Sequence, residues 1–213
     1  MKIEPEKTIL FIGDSITDCG RSRPIGDNKT GLGNGYVSII DALIEAVYPQ
    51  KHIRVLNTGE TGNRITDLQE RWQSDALSLN SDWLSIMIGI NDVWRQFDDP
   101  LNPVQVTKEQ FRKVYEKLIQ NTAASLDGLV LMTPFYLETN RKDPMRKLMD
   151  EYGEVVKNLA KKHGAIFVDV QKSFDQYLKH KPTQSLCWDR VHPNLAGHAI
   201  IAKSFLEAIA FKW

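Results

Sequence analysis

The chain is poor in features that would assign it to several large classes. It has only two cysteines among 213 residues, Cys19 and Cys187. Nothing at the N-terminus resembles a secretory signal. Glu4 and Glu6 precede a short apolar run, and no small-residue cleavage site follows. Two thiols in that context are expected to stay free rather than form a disulfide. Neither has a spacing that suits a metal. No run approaches the roughly 20 apolar residues of a membrane span. No charge of one sign is in excess either: 27 lysines and arginines balance 27 aspartates and glutamates. Without a basic surface, nucleic acid and anionic membrane are not expected partners. These absences together lead us to expect a soluble, cytoplasmic protein. The length suits one domain spanning residues 1–213.

What is present is an alternation of short apolar runs and amphipathic stretches. The strand candidates are Thr8–Gly13, Ile53–Asn57, Trp83–Ile90, Leu129–Pro134 and Ala165–Val170. They are mostly continuous apolar runs, as in strands buried on both faces of a parallel sheet. Between them lie helical stretches at Tyr36–Val47, Thr107–Ala124, Met145–Lys162 and Asn194–Phe211. Thr107 with Gln110 forms a capping-box pattern, and Asp143-Pro144 suits an N-cap and first helical residue. Their apolar stripes are core faces. Strands alternating with helices predict a three-layer α/β/α sandwich on a mainly parallel sheet. The longest irregular segments are expected at Cys19–Asn34, Asp92–Val106 and Thr183–His192. Loops of that length are often functional.

The first strand runs into Gly13-Asp14-Ser15. In open α/β sheets, ligands bind beyond the carboxyl ends of the strands. A serine there presents its hydroxyl at the rim, but it needs a base, and the base needs an orienting group. Asp189-Arg190-Val191-His192-Pro193 offers both, with carboxylate and imidazole three residues apart. Two further blocks follow apolar strands: Asn57-Thr58-Gly59-Glu60-Thr61-Gly62-Asn63 and Gly89-Ile90-Asn91-Asp92. Taken singly, Gly59 reads as a turn glycine and Asn91 as a loop cap. Taken together, they supply donors for a developing oxyanion: the N–H of Gly59, the amide of Asn91 and the N–H of Ser15 itself.

In these four blocks the chain resembles the SGNH hydrolases, also called the GDSL esterase/lipase family. The blocks occur in the family's order and span nearly the whole chain. Ile16 stands where the family name has leucine. The resemblance implies a flavodoxin-like fold with a five-stranded sheet. It implies Ser15 as nucleophile, His192 as general base and Asp189 as its orienting group. Ser15, Gly59 and Asn91 would form the oxyanion hole, and Asp14 and Asp92 would hold loops. Ser15–Arg21, Ile86–Gln96, Met132–Tyr136 and Trp188–Pro193 look closest to intracellular serine acetylxylan esterases of Gram-positive bacteria. That branch implies an acetylated sugar or short ester as substrate and requires neither metal nor organic cofactor.

Trp94 and Trp188 flank the expected site, where bulky rings would exclude long acyl chains. Each could equally pack on a loop or cover a subunit contact. Trp188 and Trp213 permit a homo-oligomer without demanding one. Three other readings fit part of the pattern. One is an esterase/lipase of the same family with broader acyl specificity. One is a metal-dependent phosphoesterase using Asp14, Asp18 and Asp189. One is a carbohydrate-binding protein on a hydrolase scaffold. Gly31-Leu32-Gly33-Asn34-Gly35 follows no strand, so it reads as a turn before a helix rather than a phosphate loop.

Overall fold

The computed structural model describes residues 1–98, 101 and 104–213. Five parallel strands form the centre of the sheet: β1 (Thr8–Gly13), β3 (Arg54–Asn57), β4 (Trp83–Met87), β5 (Gly128–Met132) and β6 (Ile166–Val168). A sixth strand, β2 (Gly26–Asp27), pairs antiparallel with β3 at one edge. The order is β2-β3-β1-β4-β5-β6. Without β2 the parallel strands follow the 2-1-3-4-5 order of flavodoxin-like sheets. The sheet therefore has six strands rather than the expected five. The added strand is two residues long, and its Gly26-Asp27 sequence has no apolar pattern to announce it.

β1 lies between β3 and β4, in the register Leu10 opposite Leu56 and Leu84. Ile9, Leu10, Phe11 and Ile12 are all fully buried, which explains the unbroken apolar run: helices cover both faces. The helices are α1 (Ser15–Asp18), α2 (Tyr36–Val47), α3 (Ile65–Asp75), α4 (Ile90–Asp98), α5 (Lys108–Thr122), α6 (Pro144–His163), α7 (Val170–Tyr177) and α8 (Leu195–Ala208). Expected caps are in place. Thr107 accepts from the N–H of Gln110, Asp143 from Arg146 and Asn194 from Gly197. Among the described residues, no helix is long and apolar enough to cross a membrane.

Two expected strands are shorter than their apolar runs, for the same reason. Trp83–Ile90 stops at Met87, because Ile90 opens α4; Ala165–Val170 stops at Val168, because Val170 opens α7. Apolar residues continue across each junction because both elements face the core. The expected irregular segment Asp92–Val106 is helical through Asp98; residues 99, 100, 102 and 103 lie outside those described.

The helices α1, α2 and α8 meet at a buried histidine. His198 is 5% exposed. Its Nδ1 accepts from the Tyr36 N–H at 3.2 Å, so the ring proton sits on Nε2, 3.3 Å from Cys19 Sγ. The thiol in turn donates to Ile16 O at 3.4 Å. Burial, reinforced by the charge His192 can carry, lowers the His198 pKa to about 4. The folded protein thus holds this ring neutral, while the unfolded chain protonates it near pH 6.5. Its contribution to stability is present above pH 6.5 and is lost as the pH falls towards 4. Between pH 7.5 and pH 5, the wild type should lose about 2 kcal/mol more stability than His198→Gln, read from urea unfolding at both values. An equal pH dependence in the two proteins would show that His198 is not the group responsible.

Candidate functional site

All five parallel strands end on the same edge of the sheet, and the conspicuous blocks converge there. Ser15 is the first residue of α1, directly after β1 and its N-cap Asp14. As the first helical residue, its N–H is one of the donors a helix cannot satisfy internally. Ser15 Oγ lies 2.9 Å from His192 Nε2. His192 Nδ1 lies 2.6 Å from Asp189 Oδ2. Serine, imidazole and carboxylate therefore form one continuous relay.

The loop carrying Asp189 and His192 is held by its own backbone. Asp189 Oδ1 accepts from the N–H groups of Val191 (2.9 Å) and His192 (2.8 Å) and from Cys187 Sγ (2.9 Å). Arg190 sits between them in left-handed backbone, φ 66°, which turns the chain back within one residue. Its carbonyl accepts from the Leu137 N–H at 3.0 Å, and its guanidinium pairs with Glu138 at 2.8 Å. Burial would raise the Asp189 pKa. The donors from Cys187, His192 and Val191 outweigh it and hold the carboxyl well below the usual range. Asp189 is thus an anion wherever His192 works. The same contact and its own burial push the Cys187 thiol up to about 12, so Cys187 is a donor and not a nucleophile. Cys19 and Cys187 are both free, each committed to a different histidine or carboxylate.

The expected oxyanion donors divide. Asn91 lies in the first turn of α4 and is 3% exposed. Its Nδ2 donates to Asn63 O at 3.0 Å, which leaves one amide N–H uncommitted. Gly59 differs from expectation. Its N–H donates to Asn57 Oδ1 at 2.8 Å and is committed there. A Cβ at Gly59 would stand 2.4 Å from Asp18 N, so glycine is required for the close approach of this segment to α1. Three residues on, Gly62 adopts φ 84° with nothing within 4 Å of a Cβ position. It adjoins Asn63, the residue whose carbonyl meets Asn91. Sequence reading passed over Gly62; only a hydrogen-bond census separates the two glycines of this block.

The two tryptophans also part company. The Trp94 ring meets the His192 ring edge-on with centroids 6.0 Å apart, and the Arg95 guanidinium lies over the Trp94 ring, 5.2 Å from its centroid. Trp188 is 92% exposed.

Asp14 and Asp92 lie beneath the site, each 1% exposed. Asp14 accepts from the Ile16 N–H and Asp92 from the Ile65 N–H, so they anchor α1 and α3. Burial raises each carboxyl to about 7. The carboxylates needed by a metal phosphoesterase are committed elsewhere. Asp18 binds Arg23 and Thr61, while Asp189 binds His192. Among the described residues, no three histidines, cysteines or acids are grouped as a metal set.

An Asp14 carboxyl with a raised pKa makes the fold less stable as the pH rises from about 4 to above 7, because the folded state holds its proton longer than the unfolded chain does. Asn keeps the capping acceptor without the charge. At pH 8, Asp14→Asn should therefore melt above the wild type, and Asp14→Ala should be about 1 kcal/mol less stable than Asp14→Asn through its missing cap. Equal destabilisation of both variants would contradict this account of Asp14.

The GDSL-like lipase/acylhydrolase family model matches residues 11–200. An acetylxylan esterase of Geobacillus stearothermophilus is 49% identical, over 100% of this chain and 98% of that protein. Its crystal structure superposes with a TM-score of 0.98. Structures of catalytic mutants of that enzyme, with a serine, an aspartate or a histidine replaced by alanine, match equally well at 48% identity. An α/β hydrolase from the metagenome of Lake Arreo is 44% identical over 99% of this chain and 98% of its own, with a TM-score of 0.97. A match over residues 11–200, on a sheet whose carboxyl edge bears this relay, places the chain in the GDSL-like lipase/acylhydrolase family.

Proposed function

We propose that the protein is a serine esterase that removes acetyl groups from short carboxylic esters, acetylated xylo-oligosaccharides above all. The observation that carries this reading is the Ser15–His192–Asp189 relay, with separations of 2.9 and 2.6 Å. His192 Nε2 takes the Ser15 proton as Oγ attacks the ester carbonyl. The imidazolium that forms is stabilised by the Asp189 anion. His192 then protonates the departing sugar alkoxide, leaving an acetyl-Ser15. Water, deprotonated by His192, attacks this acyl-enzyme and releases acetate. The developing oxyanion is met by the Ser15 N–H, the uncommitted Asn91 amide N–H and the N–H of Gly62, which replaces Gly59 in this role. The chemistry is complete with these side chains and needs no metal or organic cofactor.

Trp94 supplies specificity on the acyl side. Its ring stands against His192, where its bulk would limit the acyl group to a short chain. The alternative, a broader esterase of the same family, requires that ring to yield. The exposed rings of Trp188 and Trp213 suit burial between copies of this chain in a homo-oligomer. The near-zero net charge favours neither nucleic acid nor anionic membrane as a partner. The resemblance to intracellular acetylxylan esterases supports a cytoplasmic location.

Ser15→Ala should lower kcat on p-nitrophenyl acetate by about 10⁴–10⁶-fold with an unchanged circular dichroism spectrum. Asp189→Asn should lose less, because the aspartate orients and stabilises without touching the ester. Substantial turnover by purified Ser15→Ala would remove this serine from the mechanism. In a panel of acyl chain lengths, the wild type should prefer acetate over octanoate, and Trp94→Ala should narrow that preference. Equal rates on both esters in the wild type would favour the broader esterase.

A further inference from the structure

One cation behind the site is not accounted for by the relay. Arg71 lies on α3, and its side chain is 16% exposed. Four of its five N–H donors are engaged. Nε donates to Asn63 Oδ1 at 2.6 Å. Nη1 donates to Thr58 O at 2.6 Å and to Asp75 Oδ2 at 2.8 Å. Nη2 donates to Gly13 O at 3.0 Å. These acceptors come from separate segments. Gly13 ends β1, two residues before Ser15. Thr58 follows β3. Asn63 closes the turn that contains Gly62.

Each segment leads to an oxyanion donor. Gly13 O also accepts from the Glu60 N–H at 3.0 Å, so the Glu60–Asn63 turn is pinned to the strand that presents Ser15. Asn63 O accepts from Asn91 Nδ2 at 3.0 Å, so the same turn also sets the Asn91 amide. Arg71 is the group that touches both ends of this chain of contacts.

We propose that Arg71 is a positioning residue: its guanidinium sets the spacing among the Ser15 N–H, the Gly62 N–H and the Asn91 amide, and so tunes oxyanion stabilisation without touching the ester. The role rests on the esterase reading above. A planar fork with fixed donor directions can hold the end of β1 and both ends of the Thr58–Asn63 segment in register, whereas a lysine ammonium keeps the charge but not the geometry. Donor placement is a steep determinant of rate, since a shift of about 1 Å can cost about 10²-fold.

Two variants test it. Arg71→Lys keeps the charge, and Asn63→Ala removes only the side-chain acceptor. The quantity to read is kcat on p-nitrophenyl acetate per titratable Ser15, counted with a fluorophosphonate, so that a fraction of misfolded protein does not enter. Both variants should lose about 10–100-fold in kcat with KM within about twofold of the wild type. Inactivation by the fluorophosphonate, which also builds negative charge on an oxygen, should slow in parallel. A residue that merely staples α3 would lower the melting temperature and leave kcat per active serine alone. That result in both variants would overturn the proposal; should Arg71→Lys not fold, Asn63→Ala decides alone. Ser15→Ala separates the two levels. If it is dead while Arg71→Lys and Asn63→Ala turn over normally, only the positioning role falls. If it is active, the esterase reading falls and takes the positioning role with it.

Discussion

A hydrogen bond of 2.9 Å joins Ser15 Oγ to His192 Nε2 across 177 positions of sequence, and the architecture is what makes it form. Parallel strands all point one way, so every loop that follows one opens on the same edge. β1 sits between β3 and β4 and delivers Ser15 to the middle of that edge. The chain then adds four more parallel strands and the short β2 before Asp189 and His192 arrive from the opposite end of the sequence. Two groups so far apart meet because the sheet, not the local chain, sets their separation.

Rigidity at the site is supplied by backbone donors and buried charge rather than by regular structure. Asp189 accepts from three protein donors besides the imidazole, which fixes the carboxylate before any substrate arrives. Arg190 is tied outward to Glu138, so the loop cannot swing away from the sheet. Behind Glu138, the fully buried Arg146 donates to its carbonyl and pairs with Asp175 on α7. Preorganisation of this kind lets a developing charge be stabilised without the loops having to rearrange.

The titratable groups beneath the site are set apart from one another by their surroundings. Asp189 is half-exposed but donor-rich, and is held anionic. Asp14 and Asp92 are buried, and burial lifts both towards neutrality. His198 is buried and held neutral, while His192 faces the Ser15 hydroxyl. The same residue types thus differ as exposed anion, buried loop anchor, neutral core group and partner of a serine hydroxyl, according to solvation and partners.

Much of this was legible along the chain because its cues are local. Ile9–Ile12 reads as a buried strand since all four side chains are covered, and Thr107, Asp143 and Asn194 announce helix starts by capping them. Less local features were missed. The helix α3 carried a usable signal, Ile65, Leu68 and Trp72 on one buried face, but its polar majority hid it. β2 had none, being two residues recruited to an edge by pairing with β3. By itself the sequence determined the alternating architecture and the fold family and singled out Ser15, Asp189 and His192 as candidates, because those depend on residue type and order. Only the tertiary structure decided that the Gly59 N–H is bonded to Asn57, that Trp94 rather than Trp188 stands against His192, and that Arg71 bonds both the end of β1 and the Asn57–Asn63 block. Those outcomes depend on which way a donor or a ring points once distant segments have packed, and no local pattern encodes that direction.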